Sequence, residues 1–397
     1  MSNISKFCSP QLPLHMERVG VRSTDFFPSL AALHYVCQHQ HIPFVSYRLP
    51  QHSAITTLVQ YKSLPKTITD FEALNAGEGF VIAPFTANNG YSSYLLQSDF
   101  EFKDNAISIE MIAELSRNEV FKASSKEDSN SFKTTSKAEF ESNVNKAVMS
   151  IKNGEFRKVV LSKTHLIDLP TDFSAPHFYQ KLCAIYPNAY IYFLQMPNVG
   201  CWIGATPEPL LTSENELMHT VSLAGTQAYT GLPLEQYVWS EKELDEQAIV
   251  TRFVEQTLTQ TGISGFRKSK VENYRAGNLI HLKSGFEFRK TELKDELSKL
   301  INALHPTPST GGLPKTNACE FILEAEKYNR SYYTGFLGTI HPENGCQLYV
   351  NLRCMQLVQN KIVLYSGAGI TASSVAENEW METENKLETL KKVITSY

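Results

Sequence analysis

Along this chain, apolar positions recur with two different periods, and the change from one to the other marks out elements. From Ala138 to Ile151, the residues Phe140, Val144, Ala147, Val148 and Ile151 fall three and four apart, which predicts a helix. Similar spacing predicts helices over Trp239 to Gln260, Lys290 to Ala303, Asn317 to Asn329 and Glu377 to Thr395. Short β-like runs lie at Phe44-Val-Ser-Tyr-Arg-Leu and Gly79-Phe-Val-Ile-Ala-Pro-Phe. Further strands are predicted at Lys158 to Leu166, Ala189 to Gln195, Cys201 to Ala205, Leu348 to Leu357 and Lys361 to Tyr365. Strands outnumber the helices between them, and several neighbours read as hairpins. A mixed α+β architecture therefore fits better than a doubly wound parallel sheet.

One stretch breaks the pattern. Lys122 to Lys137, KASSKEDSNSFKTTSK, is nearly all Ser, Thr, Lys and acid, and reads as an exposed loop at 122–137. With 397 residues and 42% hydrophobic content, the chain can bury a large core, either as two ordinary domains or as one large domain over 1–397. A net charge of -4 offers no basic footprint for nucleic acid. Met1 to Leu12 lacks the apolar stretch of a secretory signal, and no run of apolar residues is long enough to span a bilayer. The seven cysteines are odd in number and form no CxxC pair, which suits free thiols in a reducing cytoplasm.

A few positions do not fit a plain structural role. Glu246 stands three, four and seven residues before Ile249, Val250 and Phe253, on the apolar side of its helix. A carboxylate there needs a lysine, a proton or a metal, unless it snorkels to water. Glu379, Glu382 and Lys386 share one polar stripe of the last helix, which could be a solvated face. Upstream, Tyr365-Ser-Gly-Ala-Gly-Ile-Thr runs from a strand into glycines, either as a tight turn or as backbone open to an anion. Glu208 lies between two prolines that stiffen its backbone, as a general acid or a plain loop residue would. Lys158 shares a strand face with Val160 and Ser162; in an apolar setting such a lysine can act as a base, and at a strand end it is simply solvated. Arg353, expected inside a strand, implies a carboxylate partner from protein or ligand.

In order, the segments KVVLSK (158–163), GATPEPLL (204–211), SLAGT (222–226), SEKELDEQAIV (240–250), NLIHL (278–282), LHPTPSTGGLPK (304–315), YYTGFLG (332–338), VNLRC (350–354), YSGAGI (365–370) and EWMETENK (379–386) resemble the chorismate-utilising enzymes. Within that family they look like the isochorismate synthases of menaquinone or siderophore synthesis. The resemblance covers roughly 140–397, with residues 1–120 matching only in general character. It implies an α+β fold of two antiparallel β-sheets packed face to face with helices outside, as in anthranilate synthase component I.

The resemblance also implies roles. Lys158 would be the base that activates water and Glu208 the acid for the departing hydroxyl. Glu246 and Glu382, with Glu379 close by, would hold Mg2+ and through it the ring carboxylate of chorismate. Arg353, Lys386 and the backbone at Gly367 would clamp the enolpyruvyl carboxylate, while Gly225, Thr226 and His281 would line the ring site. Gln247 stands where the family usually has His, Lys163 where Arg is common, and Ser309 where Ala is frequent.

The same comparison separates relatives. Ala224 replaces the lysine of the aminodeoxychorismate type, anthranilate synthases lack the lysine at 158, and no glutamine amidotransferase segment or subunit is expected. Salicylate synthase, which goes on to eliminate pyruvate, is the alternative activity. A chorismate-binding protein without catalysis would be expected to have lost the base, acid or metal residues. A monomer or weak homodimer, with no nucleic acid or membrane partner, completes the expectation.

Overall fold

The computed structural model describes residues 28–87, 90–104, 106–117, 132–294, 296–343 and 345–397. The stretch Met1 to Leu12, and most of the loop expected at 122–137, lie outside the described residues. Its helices are α1 (Pro28–His39), α2 (Ile109–Arg117), α3 (Lys137–Lys152), α4 (Ala175–Ile185), α5 (Glu241–Gln260), α6 (Leu297–Leu304), α7 (Lys315–Ala325) and α8 (Ala376–Ile394). The strands are β1 (Phe44–Arg48), β2 (Ile55–Val59), β3 (Lys66–Ile68), β4 (Gly79–Ala83), β5 (Ser93–Leu96), β6 (Phe100–Lys103), β7 (Lys158–Asp168), β8 (Tyr190–Met196), β9 (Gly200–Thr206), β10 (Pro209–Glu214), β11 (Leu217–Ala228), β12 (Arg267–Lys268), β13 (Glu272–Ala276), β14 (Leu279–Arg289), β15 (Gly312–Leu313), β16 (Phe336–His341), β17 (Gly345–Val350), β18 (Cys354–Val358) and β19 (Lys361–Ile370).

They form two antiparallel sheets. The first runs β15-β7-β19-β18-β9-β8-β1-β2-β6 and the second β12-β14-β11-β10-β17-β16-β4-β5-β3. Both faces of the central strands are buried, so the period of two sorts side chains between layers. On β8, Tyr190, Tyr192, Leu194 and Met196 pack with Phe80, Ile82, Leu337 and Tyr349 of the second sheet. Ile191 and Phe193 point the other way, onto α1, α4 and α8. On the second sheet, Val81, Ala83, Phe336 and Leu348 meet Val254 and Leu258 of α5 and Leu300, Ile301 and Leu304 of α6. The architecture is therefore α+β, with two face-to-face sheets between outer helices. Strands from residues 44–103 extend both sheets.

Several boundaries differ from expectation. The strand expected over Leu348 to Leu357 is two strands, because Asn351-Leu352-Arg353 carries the chain from one sheet to the other and Arg353 takes φ +48. The helix expected over Lys290 to Ala303 begins as a 3-10 turn at Lys290–Leu293 and resumes as α6. The glycines after Tyr365 form neither a turn nor a loop; β19 continues through them to Ile370. At the end of the polar segment, Thr134 and Thr135 bond to β7 through Leu166 N–H and Thr164, so this part is docked rather than free.

Candidate active site

Two chain crossings between the sheets create the site. Pro207-Glu208 links β9 to β10, and Asn351–Arg353 links β17 back to β18. The crossings bind each other: Val350 N–H donates to Glu208 O at 2.9 Å, and the Thr206 hydroxyl donates to Val350 O at 2.6 Å. Beside them, pairing of β18 with β19 stops at Met355 opposite Leu364, whereas β19 stays paired with β7 as far as Ile370 opposite Val159. The edge of β19 beyond Tyr365 thus borders a gap rather than a strand. That gap is a cavity lined by Glu208, Gly225, Thr226, Glu246, His281, Arg353, Gly367, Glu382 and Lys386. Nine of the eleven expected site residues are in this lining. Lys158 and Glu379 stand just behind it, each ion-paired.

Lys158 is fully buried at the start of β7, with its Nζ 3.0 Å from Glu246 Oε1. It makes no well-aligned hydrogen bond beyond that ion pair. Space for the pair comes from Gly369: a Cβ there would lie 2.1 Å from Glu246 Oε1 and 3.2 Å from Lys158 Cε. The second glycine of the Gly-Ala-Gly run is needed for room, since its φ is unexceptional.

Glu208 is buried with its carboxyl pushed up to about 7 by loss of water, partly offset by Lys158, Lys386, the Ser309 hydroxyl and Arg353. A carboxyl that stays protonated near neutrality can donate its proton to a leaving group. Arg353 has lost so much water that its guanidinium is pulled down to about 10. Among the described residues no carboxylate lies within ion-pair distance of it, which leaves its charge available to an anion. The His281 imidazole is lowered to about 3 by burial and by the neighbouring Arg353, so it is neutral. Its Nδ1 lies 2.7 Å from Gly225 O, an acceptor only, so Nδ1 carries the proton and Nε2 accepts from Arg353 at 3.4 Å. Gly225 adopts φ +66 under the Trp239 ring, where a side chain would be both strained and crowded.

The polar stripe of α8 faces inward. Glu379 is 2% exposed, and Lys386 bridges Glu382 at 2.7 Å to Gly367 O at 2.8 Å. Burial opposes ionisation of Glu382, but Lys386, Lys242 and Arg353 outweigh it and hold its carboxyl below the usual range. Glu379 goes the other way, raised to about 7 by burial and the adjacent Glu382.

Sequence reasoning missed Lys242, whose Nζ reaches Glu379 at 2.9 Å and Glu246 at 4.0 Å. Its signal was present, four residues before Glu246 on one helix face. It also missed a buried pair, Glu326 and Arg330, 2.6 Å apart, whose only local signal is the same four-residue spacing. Arg330 donates to Val160 O and Thr310 O, while Glu326 accepts from Ser162 N–H, so the pair ties β7 to the 305–311 segment. Gln247 is buried too, and its amide donates to Ser222 on β11.

The donors fit a hard divalent cation. Glu246, Glu379 and Glu382 offer only carboxylate oxygens, and Glu379 Oε2 is buried without a hydrogen-bond partner. Among the described residues no trio of His, Cys, Asp or Glu is gathered into a ready-made cage; here lysines stand between the acids.

The family profile described as chorismate binding enzyme matches residues 83–395. The chain belongs to the chorismate-binding enzymes. It is 31% identical over 262 residues to the isochorismate synthase EntC of Escherichia coli, covering 64% of this chain and 66% of that one. Its identity to anthranilate synthase component 1 of Lactococcus lactis is also 31%, over 266 residues that cover 64% of this chain and 57% of the relative. The matches thus span less than two thirds of these relatives' own lengths. The structure of MenF, the menaquinone-specific isochorismate synthase from Escherichia coli, superposes with a TM-score of 0.71 at 19% identity, over 91% of each chain, and so shares the chorismate-binding fold. Among the described residues no helix is long and apolar enough to cross a membrane.

Proposed function

We propose that this chorismate-binding enzyme is an isochorismate synthase, an isomerase that adds water at ring C2 of chorismate and releases the C4 hydroxyl. The observation that carries this reading is one cavity with a protonatable carboxyl, Glu208, and an acid-free Arg353 among its lining, beside Glu246 paired to buried Lys158. Chorismate has two carboxylates, and the cavity offers two places for them. Arg353 and Lys386 take the enolpyruvyl carboxylate through charge-assisted hydrogen bonds. Glu246 and Glu382, with Glu379, would hold Mg2+, which would supply positive charge for the ring carboxylate.

Gly225, Thr226 and neutral His281 shape the ring pocket, and His281 keeps Arg353 in orientation. Lys158 acts here as its neutral amine, the ammonium of the free-site ion pair having given up its proton first, and takes a proton from the entering water. Glu208 gives one to the departing hydroxyl, so water added equals water lost and the reaction is a net isomerisation. Each of these proton transfers contributes on the order of 10²–10⁴-fold. Ala224 gives no lysine to the lining, in keeping with water rather than ammonia as nucleophile. The product supports menaquinone or catechol siderophore synthesis, and the enzyme works in the cytoplasm without an amidotransferase subunit.

The test is chromatography of products after purified protein meets chorismate and Mg2+. Isochorismate alone is expected. Salicylate with pyruvate would move the assignment to salicylate synthase, and chorismate bound but unchanged would make the chain a binding protein.

A further inference from the structure

The three acids of the cation site come from two helices, and nothing in their own chemistry keeps them together. Glu246 is on α5, while Glu379 and Glu382 sit one turn apart on α8. Like charges at close range repel. In the protein each acid is instead matched by a lysine: Glu246 by Lys158, Glu379 by Lys242 and Glu382 by Lys386. Lys242 differs from the other two. Its Nζ lies 2.9 Å from Glu379 Oε1 and 4.0 Å from Glu246 Oε2, so one ammonium spans the gap between α5 and α8. The helix start that aims it is fixed by a reciprocal cap between Ser240 and Glu243. The second Glu379 oxygen is buried and has no partner.

We propose that Lys242 is a built-in counter-cation, which holds the acid site of α5 and α8 together before a divalent cation arrives and competes with that cation for Glu379. The inference rests on the assignment of these acids to a divalent cation. The lysine charge keeps the free site balanced and makes it a weak binder of metal by itself. A doubly charged cation and a dicarboxylate substrate add no net charge together, whereas either one alone does. Binding of the two is therefore mutually reinforcing, by linkage.

The test uses the full chain freed of metal, with Mn2+ as the probe and no chorismate present. Electron paramagnetic resonance counts free Mn2+ during titration. Lys242→Met is expected to bind Mn2+ tighter than wild type by about tenfold, within the usual range of coupling between two sites. Lys242→Arg, which keeps the charge, is expected to stay near wild type, and so is Lys299→Met on the surface. In thermal unfolding, Mn2+ should raise the melting temperature of Lys242→Met more than that of wild type. Equal or weaker Mn2+ binding by Lys242→Met overturns the proposal. A Lys242→Met chain that stays unfolded even with saturating Mn2+ also overturns it, because the divalent cation then fails to replace the ammonium. Since no substrate is involved, loss of the isochorismate synthase reading through product analysis would leave this result standing.

Discussion

Substituting Gly369 by Ala puts the Lys158–Glu246 pair under direct test. The new Cβ would lie 2.1 Å from Glu246 Oε1, where ordinary contact begins at 3.4 Å, so the carboxylate must retreat by about 1.3 Å (3.4 − 2.1). A retreat straight along the ion pair would lengthen its 3.0 Å separation to about 4.3 Å (3.0 + 1.3). Lys158 is fully buried and has no water to turn to, so a stranded charge would cost about 3–5 kcal/mol. Gly369 has no left-handed φ, so alanine brings no backbone strain to confuse the result. Misplacing a reacting group by about 1 Å costs on the order of 10²-fold in rate. We therefore expect Gly369→Ala to lower kcat by about 100-fold, with a reduced melting temperature. The assay is chromatographic initial rates with saturating chorismate and Mg2+. Gly285→Ala is the control, since a Cβ there meets only Ser269 Oγ at 3.8 Å. A Gly369→Ala enzyme within about threefold of wild type, against the 100-fold expected, would refute the claim that this glycine gives the pair its room.

Other perturbations follow from the same geometry. Glu208 must be protonated to act as an acid, and its carboxyl titrates at about 7, so kcat/KM should fall as pH rises above neutrality; Glu208→Gln should abolish that limb and slow turnover about 10²–10⁴-fold in a pH series. Lys158→Ala should end hydration while chorismate binding, read by calorimetry with Mg2+, persists; retained turnover would remove the base assignment. Glu246→Ala should weaken the dependence of rate on Mg2+, and an unchanged titration curve would count against it. Arg330→Met strands Glu326 in the interior and should destabilise the fold by about 3–5 kcal/mol, seen as a large drop in melting temperature.

Much of the molecule was legible in one dimension. Periods of 3.6 and 2 are local properties of side-chain geometry, so helices α3, α5 and α8 and strands β7, β8 and β9 fell within a few residues of expectation. The ordered motifs singled out nine residues that the fold gathers around one cavity, and the apolar neighbours of Glu246 marked it as a carboxylate in need of a partner. What the sequence left open was every question of which residue that partner would be. Glu246 and Lys158 stand 88 positions apart (246 − 158) yet form an ion pair, and only the tertiary fold, which packs α5 on β11 of the second sheet and faces it toward the start of β7 in the first, brings them together. Arg353 looked like a strand residue because its neighbours are apolar, but the chain there changes sheets, and that crossing turns its side chain into the cavity. The glycines of β19 resembled a turn because sequence reports flexibility and not crowding; the carboxylate that demands Gly369 arrives from another helix. Local propensity and periodicity are written in the chain itself, whereas burial, charge pairing and shifted proton affinity belong to the space between distant segments and exist only once the two sheets have closed on each other.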